Sequence, residues 1–177
     1  MRVLNTTHLD TRRLSELFHR YAEGWPHERL TAGVRYSRGA DFSGTCLYGK
    51  RTIYVNIRRR LAFPYPMDTH IARAQSDETY WWKETYTVHL ADAYQVALFV
   101  FLHEFFHWLI KCARRNPRRK EAMCDRFATR AIVDDFGGVV VDSAGRRVRR
   151  QDWDFQNLLR FVAAAKLNRR PTEALGG

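Results

Sequence analysis

The stretch that follows Asp92, running to about Cys112, is apolar nearly all the way round. Val96, Leu98, Phe99, Phe101, Leu102, Phe105, Trp108 and Leu109 leave no polar face of ordinary width. Asp92 offers an N-cap for a helix, with Gln95 three residues on as its capping-box partner. A helix of that kind has to be surrounded, by protein or by lipid. Lipid is the weaker alternative. His103, Glu104 and His107 lie in its C-terminal half, and ionisable groups cost roughly 2.5–3.5 kcal/mol each near a bilayer centre. No second long apolar run exists to pack against it in a membrane. The expectation is a core helix with the rest of the chain wrapped around it. A length of 177 residues suits one domain, residues 1–177.

The flanking sequence alternates between helix and strand signals. Thr11 to Glu23 reads as an amphipathic helix, with Leu14, Leu17, Phe18 and Tyr21 on one face and Gly24 and Pro26 ending it. From Ala32 to Arg58 the pattern is that of strands. Ile53, Val55 and Ile57 alternate with polar neighbours, and Gly49-Lys50 offers a hairpin turn after a strand around Thr45 to Tyr48. Leu61 to Ser76 is expected to be irregular, because Pro64 and Pro66 bar regular structure. Glu84 to His89 is a short strand candidate. After the break at Asn116-Pro117, a second helix is expected from about Arg118 to Asp134, ended by Gly137-Gly138. Val139 to Asp142 and Arg146 to Arg150 read as a hairpin about Ser143 to Gly145. Asp152 caps a final helix through about Leu167, so residues 139–170 form an accessory hairpin and helix, with a loose tail from Arg169. The fold class expected from this order is α+β.

Three cysteines, Cys46, Cys112 and Cys124, are scattered without a C-x-x-C pair, and the odd count argues against a disulfide framework. A reducing, cytoplasmic setting is expected. Met1 to Asp10 has no apolar run, so no signal peptide is expected. The net charge is +11, carried by 25 Arg against 5 Lys. Two basic clusters stand out as candidate nucleic-acid contacts: Arg114, Arg115, Arg118, Arg119 and Lys120 with the nearby Lys111, and Arg146, Arg147, Arg149 and Arg150. An Arg-rich solvated surface is the plain alternative.

The core helix carries His103-Glu104-Phe105-Phe106-His107. Residues four apart on a helix share a face, about 5–6 Å apart at Cβ. Two imidazoles so placed can hold one zinc ion. Glu104 lies about 100° further round and can reach a metal-bound water as general base without being a ligand. Random placement of seven His and eight Glu gives such a motif in roughly one chain in a hundred. Its setting on a capped core helix raises its weight, since a buried His-Glu-His trio without a metal is costly. A zinc site needs a third protein ligand, and no histidine follows His107. The remaining donors are carboxylates. Glu121 comes fourteen residues after His107, and Asp125 follows one turn later on the same helical face. Either can point at the metal. Glu121 suits a ligand, and Asp125 suits an acceptor that orients a ligand imidazole. Cys112 and Cys124 are expected to be small core residues, Cys124 being out of phase with Glu121 and Asp125.

This pair of motifs resembles the gluzincin arrangement, HExxH followed by ExxxD. More narrowly, Glu121-Ala-Met-Cys124-Asp125-Arg-Phe127-Ala128 resembles the E-x-x-A-[DN]-x-F-A signature of ImmA/IrrE-type metallopeptidases. The strand Ile53-Tyr-Val-Asn56 resembles the I-x-V-N-like strand that those proteins place before the active-site helix. Phe106 and Cys124 stand where that family usually has Gly and Ala, and its Leu-Leu-Met-Pro-like ending is replaced by Ile132-Val-Asp-Asp135. The resemblance spans Thr52 to Val133. It implies a zincin-like fold, with a small twisted mixed sheet on the active-site helix. It also implies a cytoplasmic zinc endopeptidase that cuts a protein such as a transcriptional repressor.

A peptidase needs an oxyanion donor and a strand edge for its substrate. His89, Tyr86 and Tyr54 are candidate donors or substrate contacts. Glu84 to His89 and Thr52 to Arg58 are candidate edges. Tyr80-Trp81-Trp82 either lines a substrate cleft or packs. The competing class of function is a non-catalytic nucleic-acid-binding or regulatory protein, whose metal site four protein ligands would close.

Overall fold

In a computed structural model, which describes residues 1–76 and 78–167, the chain forms a mixed α+β fold around the expected core helix. The first sheet has strands β1 (Arg2–Asn5), β2 (Thr31–Tyr36), β3 (Phe42–Leu47) and β4 (Thr52–Ile57) in the order β1-β2-β4-β3. β1, β2 and β4 run parallel, and β3 returns antiparallel on the outer flank of β4. Helix α1 (Thr11–Ala22) makes the crossover from β1 to β2, and Asp10 caps it by accepting from the Arg13 amide at 2.6 Å. Along β4 the burial alternates strictly. Ile53, Val55 and Ile57 are buried, while Thr52, Tyr54 and Asn56 point to the other, wetter face.

Helix α2 (Ala93–Cys112) lies against the buried face. Asp92 caps it, accepting from the Gln95 amide at 2.8 Å, and Gln95 answers by accepting from the Ala91 amide. α2 is long and apolar enough to cross a membrane, but two thirds of its apolar window is covered by the protein's own elements. Phe18 of α1 stacks on Phe101 at 4.1 Å between centroids, and Phe101 stacks on Phe105. On another side stands α3 (Glu121–Phe136), where Phe106 meets Phe127 at 4.8 Å. That ring pair accounts for a phenylalanine at 106, since a glycine would leave the α2–α3 seam unfilled. Gly137, at φ 68°, ends α3 in the left-handed conformation that glycine adopts freely.

The segment expected to be irregular pairs instead. β5 (Tyr65–Thr69) and β8 (Tyr86–Leu90) join β9 (Val140–Val141) in the order β5-β8-β9, and β6 (Ala74–Ser76) and β7 (Trp81–Lys83) form a hairpin. Pro66 is accommodated because β5 has a partner on one side only, so one set of its backbone groups faces away from the ladder. The expected hairpin after Gly138 shrinks to β9 and one bridge, Val141 to Arg147. The expected final helix is three short turns, α4 (Arg150–Trp153), α5 (Leu158–Phe161) and α6 (Ala164–Leu167). The tail expected to be loose from Arg169 lies outside the described residues.

Candidate metal centre

α2 and α3 bring the two motifs face to face. A single oxygen of Glu121, Oε2, lies 3.0 Å from His103 Nε2 and 3.4 Å from His107 Nε2. A tetrahedral ion with bonds of about 2.0–2.1 Å holds its donors about 3.3–3.4 Å apart. The two Glu121–imidazole separations, 3.0 and 3.4 Å, are close to that spacing, so one Glu121 oxygen and the two rings suit a small cation. On the far side of the ring, His103 Nδ1 faces Asp125 Oδ1 at 2.8 Å. The other Asp125 oxygen accepts from the His70 amide at 2.8 Å, which fixes the carboxylate from the linker after β5. His107 Nδ1 is buried without a well-formed hydrogen bond.

The charges follow from this geometry. Burial pulls His103 down, but hydrogen bonds to Asp125 and Glu121 more than offset it and raise its pKa to about 10. Glu121 is lowered to about 2, chiefly by its hydrogen bond with His103. His107 is lowered by burial and by the charge of His103. A protonated His103 therefore stands between the Glu121 and Asp125 carboxylates.

Glu104 occupies the neighbouring wall. Its side chain lies flat on Gly44 of β3, where an added Cβ would come within 2.5 Å of its Oε1 and 2.6 Å of its Cγ. Burial and the charge of Glu121 raise its pKa, and the charge on His103 and the Cys46 amide oppose that rise only in part. An open cleft of about 450 Å³ lies over these groups, lined by Cys46, Tyr48, Glu104, His107, Lys111, Asn116, Pro117, Arg118 and Glu121.

Cys124 is the buried core residue expected, but the expectation that it is out of phase with Glu121 and Asp125 is corrected. The ligand atoms of His103, His107 and Cys124 all lie within 4.8 Å of one another, so these three also form a group able to hold a metal ion. Positions three apart are neighbours on a helix just as positions four apart are. Cys124 therefore shares the α2-facing side of α3 with Glu121 and Asp125. Its thiol is fully buried, and burial together with Glu121, Asp125 and Glu104 pushes its pKa far up.

The candidate oxyanion and substrate residues do not line the cleft. Tyr54 is on the outer sheet face under the Arg35 guanidinium, 3.8 Å from it. Tyr86 packs in a second core with Ile71, Ala72, Val140 and Trp153. His89 is exposed on β8 opposite Pro66. Neither candidate edge is free, since β4 lies between β2 and β3, and β8 lies between β5 and β9. The edge beside the cleft is β3. Tyr48, just past β3, is the cleft-lining phenol, and sequence spacing gave no sign of it. Gly44 did carry a signal, because an isolated glycine in a strand often marks a close approach.

The basic clusters are partly spent within the fold. Arg146 pairs with Asp142, Arg149 with Asp152, and Arg150 with Asp134 and Asp154. Arg147 lines a second cavity with Val140 and Trp153. In the other cluster Arg115 stacks over Phe161, Arg114 and Arg119 take left-handed turn conformations, Lys120 precedes α3, and Arg118 lines the cleft. No protein-family model matches this chain, and no curated protein or solved structure does either.

Proposed function

We propose that this protein is a zinc-dependent endopeptidase with a zincin-like fold, related in mechanism to the ImmA/IrrE-type metallopeptidases it resembles. The observation that carries the reading is one Glu121 oxygen shared between two imidazoles, at 3.0 and 3.4 Å, under an open cleft walled by Glu104. His103, His107 and Glu121 would hold the ion, and Asp125 would keep His103 turned towards it. A zinc ion bound there supplies Lewis acidity, polarising a carbonyl and lowering the pKa of water towards about 7. Glu104 takes a proton from water and delivers it to the leaving amine. Its raised pKa helps it to hold that proton between the two steps. Tyr48, in the cleft wall, is placed to donate to the developing oxyanion. The unpaired edge of β3 offers the substrate backbone an antiparallel partner. A cytoplasmic protein substrate, such as a DNA-associated regulator, is part of the same proposal.

Cys124 favours a second reading. As a fourth protein ligand it would close the site and make the metal structural, in a regulatory or nucleic-acid-binding protein. Metal content and peptidase activity separate the two readings. Glu104→Gln is expected to keep zinc and lose activity by about 10²–10⁴-fold, while Cys124→Ala keeps both. Loss of zinc from Cys124→Ala would favour the closed site, and full activity in zinc-loaded Glu104→Gln would refute the peptidase assignment. Gly44→Ala should displace Glu104 and cost about 10²-fold in kcat with zinc content unchanged. An unaffected kcat would mean that Glu104 works from elsewhere.

A further inference from the structure

The cleft is not uniformly acidic. Two cations, Lys111 and Arg118, line it together with Glu104 and Glu121. Lys111 is one helical turn beyond His107 and rises from the same face of α2, so its Cβ stands about 5–6 Å from that of His107. Arg118 comes from the loop between α2 and α3, three residues before Glu121. Its backbone is tied down by the Asn116 side chain, which accepts from the Arg118 amide at 3.0 Å. Both side chains are exposed, and neither makes an ion pair among the described residues. This differs from Arg146, Arg149 and Arg150, whose guanidiniums are already matched to carboxylates of the chain itself.

We propose that Lys111 and Arg118 form a carboxylate-binding subsite, and that the peptide this cleft accepts carries an acidic group within about two residues of the bond to be cut. The proposal rests on the peptidase reading above. An extended chain advances about 3.3 Å per residue. A group anchored one helical turn from His107 therefore meets the substrate one to two residues from the scissile carbonyl. A mobile lysine and a planar, forked guanidinium converging on one opening suit a carboxylate better than a neutral side chain. Two sources offer the same chemistry, an Asp or Glu side chain and the terminal α-carboxylate of the substrate.

The test is direct binding of fluorescent peptides to the zinc-loaded Glu104→Gln protein, which needs no turnover. Three peptides are compared: one with an internal Glu and an amidated end, one with Gln in its place and a free end, and one with Gln and an amidated end. The expected result is about tenfold tighter binding of one carboxylate-bearing peptide over the neutral one. The peptide that shows the gain identifies the source. The gain should vanish in the additional double variant Lys111→Ala/Arg118→Ala with zinc content intact, and should turn to a preference for a Lys-bearing peptide in Lys111→Glu/Arg118→Glu. Equal affinity for all three peptides overturns the proposal, and so does a preference that survives the double alanine variant. Displacement of the peptide by a short oligonucleotide would assign the two cations to phosphate and also overturn it. If the wild-type protein cleaves none of the peptides while the carboxylate preference holds, the peptidase reading fails and the subsite stands.

Discussion

α3 carries two charged faces about 100° apart, and they are finished in different ways. Towards α2 it turns Glu121 and Asp125 to the imidazoles of His103 and His107. Towards the C-terminal segment it turns Arg126 and Arg130. Arg126 is 2% exposed, donates to the Ile71 carbonyl at 2.9 Å and to Gln156, and lies over Phe155. Burial draws its pKa down to about 10. Arg130 pairs with Asp154 and donates to the Gln156 carbonyl. The arginine face finds most of its partners inside the chain, Arg126 Nε excepted, and fastens residues 154–156 to the helix. The carboxylate face meets two imidazoles, with one Glu121 oxygen 3.0 Å from His103 Nε2 and 3.4 Å from His107 Nε2.

The sharpest way to break this comparison is to remove one member from each face. Glu121→Ala is expected to yield protein largely free of zinc and still folded, by metal analysis and circular dichroism. Asp125→Asn is expected to bind zinc about 10–100-fold more weakly, as befits a group that orients a ligand. Zinc retained in Glu121→Ala but lost in Asp125→Asn would show the two roles reversed. Arg126→Ala should do the opposite. It strands the Ile71 carbonyl and Gln156 and removes the cover from Phe155, so stability should fall by about 3 kcal/mol with zinc content unchanged. If Arg126→Ala also strips the metal, the two faces are one coupled system and the distinction fails.

The smallest effect expected is a pH dependence confined to the ligating face. In the metal-free protein, His103 is raised from 6.5 to about 10, so its stabilisation is complete below about 6.5 and is lost as pH rises through about 10. Glu121 is lowered from 4.5 to about 2, so its stabilisation is complete above about 4.5 and is lost as pH falls through about 2. Bound zinc leaves the ligating nitrogen no proton to lose. Urea midpoints at about pH 6 and about pH 10 should therefore differ in metal-free protein and converge when zinc is present. An equal alkaline loss with zinc bound would mean that the ion sits elsewhere.

The parts of this fold that were legible in the sequence are those with strong local signals. The Asp92 cap and apolar run placed α2, the amphipathic stripe from Leu14 to Tyr21 placed α1, and the alternation of Ile53, Val55 and Ile57 placed β4. β1 escaped notice because four residues with only Val3 and Leu4 apolar look like a fraying end until β2 pairs with them in parallel. β5 was hidden by Pro66, which a strand tolerates on an unpaired side. The final helix broke into turns because Asp154 and Gln156 are held by Arg130 and Arg126, contacts from a helix some 25 residues earlier. The imidazoles, Glu104, Glu121 and Asp125 were visible as candidates because helical spacing is a local rule. The facing wall of the cleft, Cys46 and Tyr48, was not, because only the long-range β3–β4 pairing delivers it.

The burial of α2 also decides which part of the site can open first. Twelve of its twenty residues are buried on all sides. Amides in such an element exchange with solvent only when the whole domain unfolds. α3 begins differently, with Lys120 at its N-cap position and no side chain closing the first turn. Fraying there needs no global event and carries Glu121 with it. The two histidines are thus expected to ride on a slowly exchanging segment, while Glu121, the third ligand of the proposal, sits in a turn expected to exchange faster. An ion would leave through the excursions of Glu121, and its residence time would be set by the opening rate of a single helical turn.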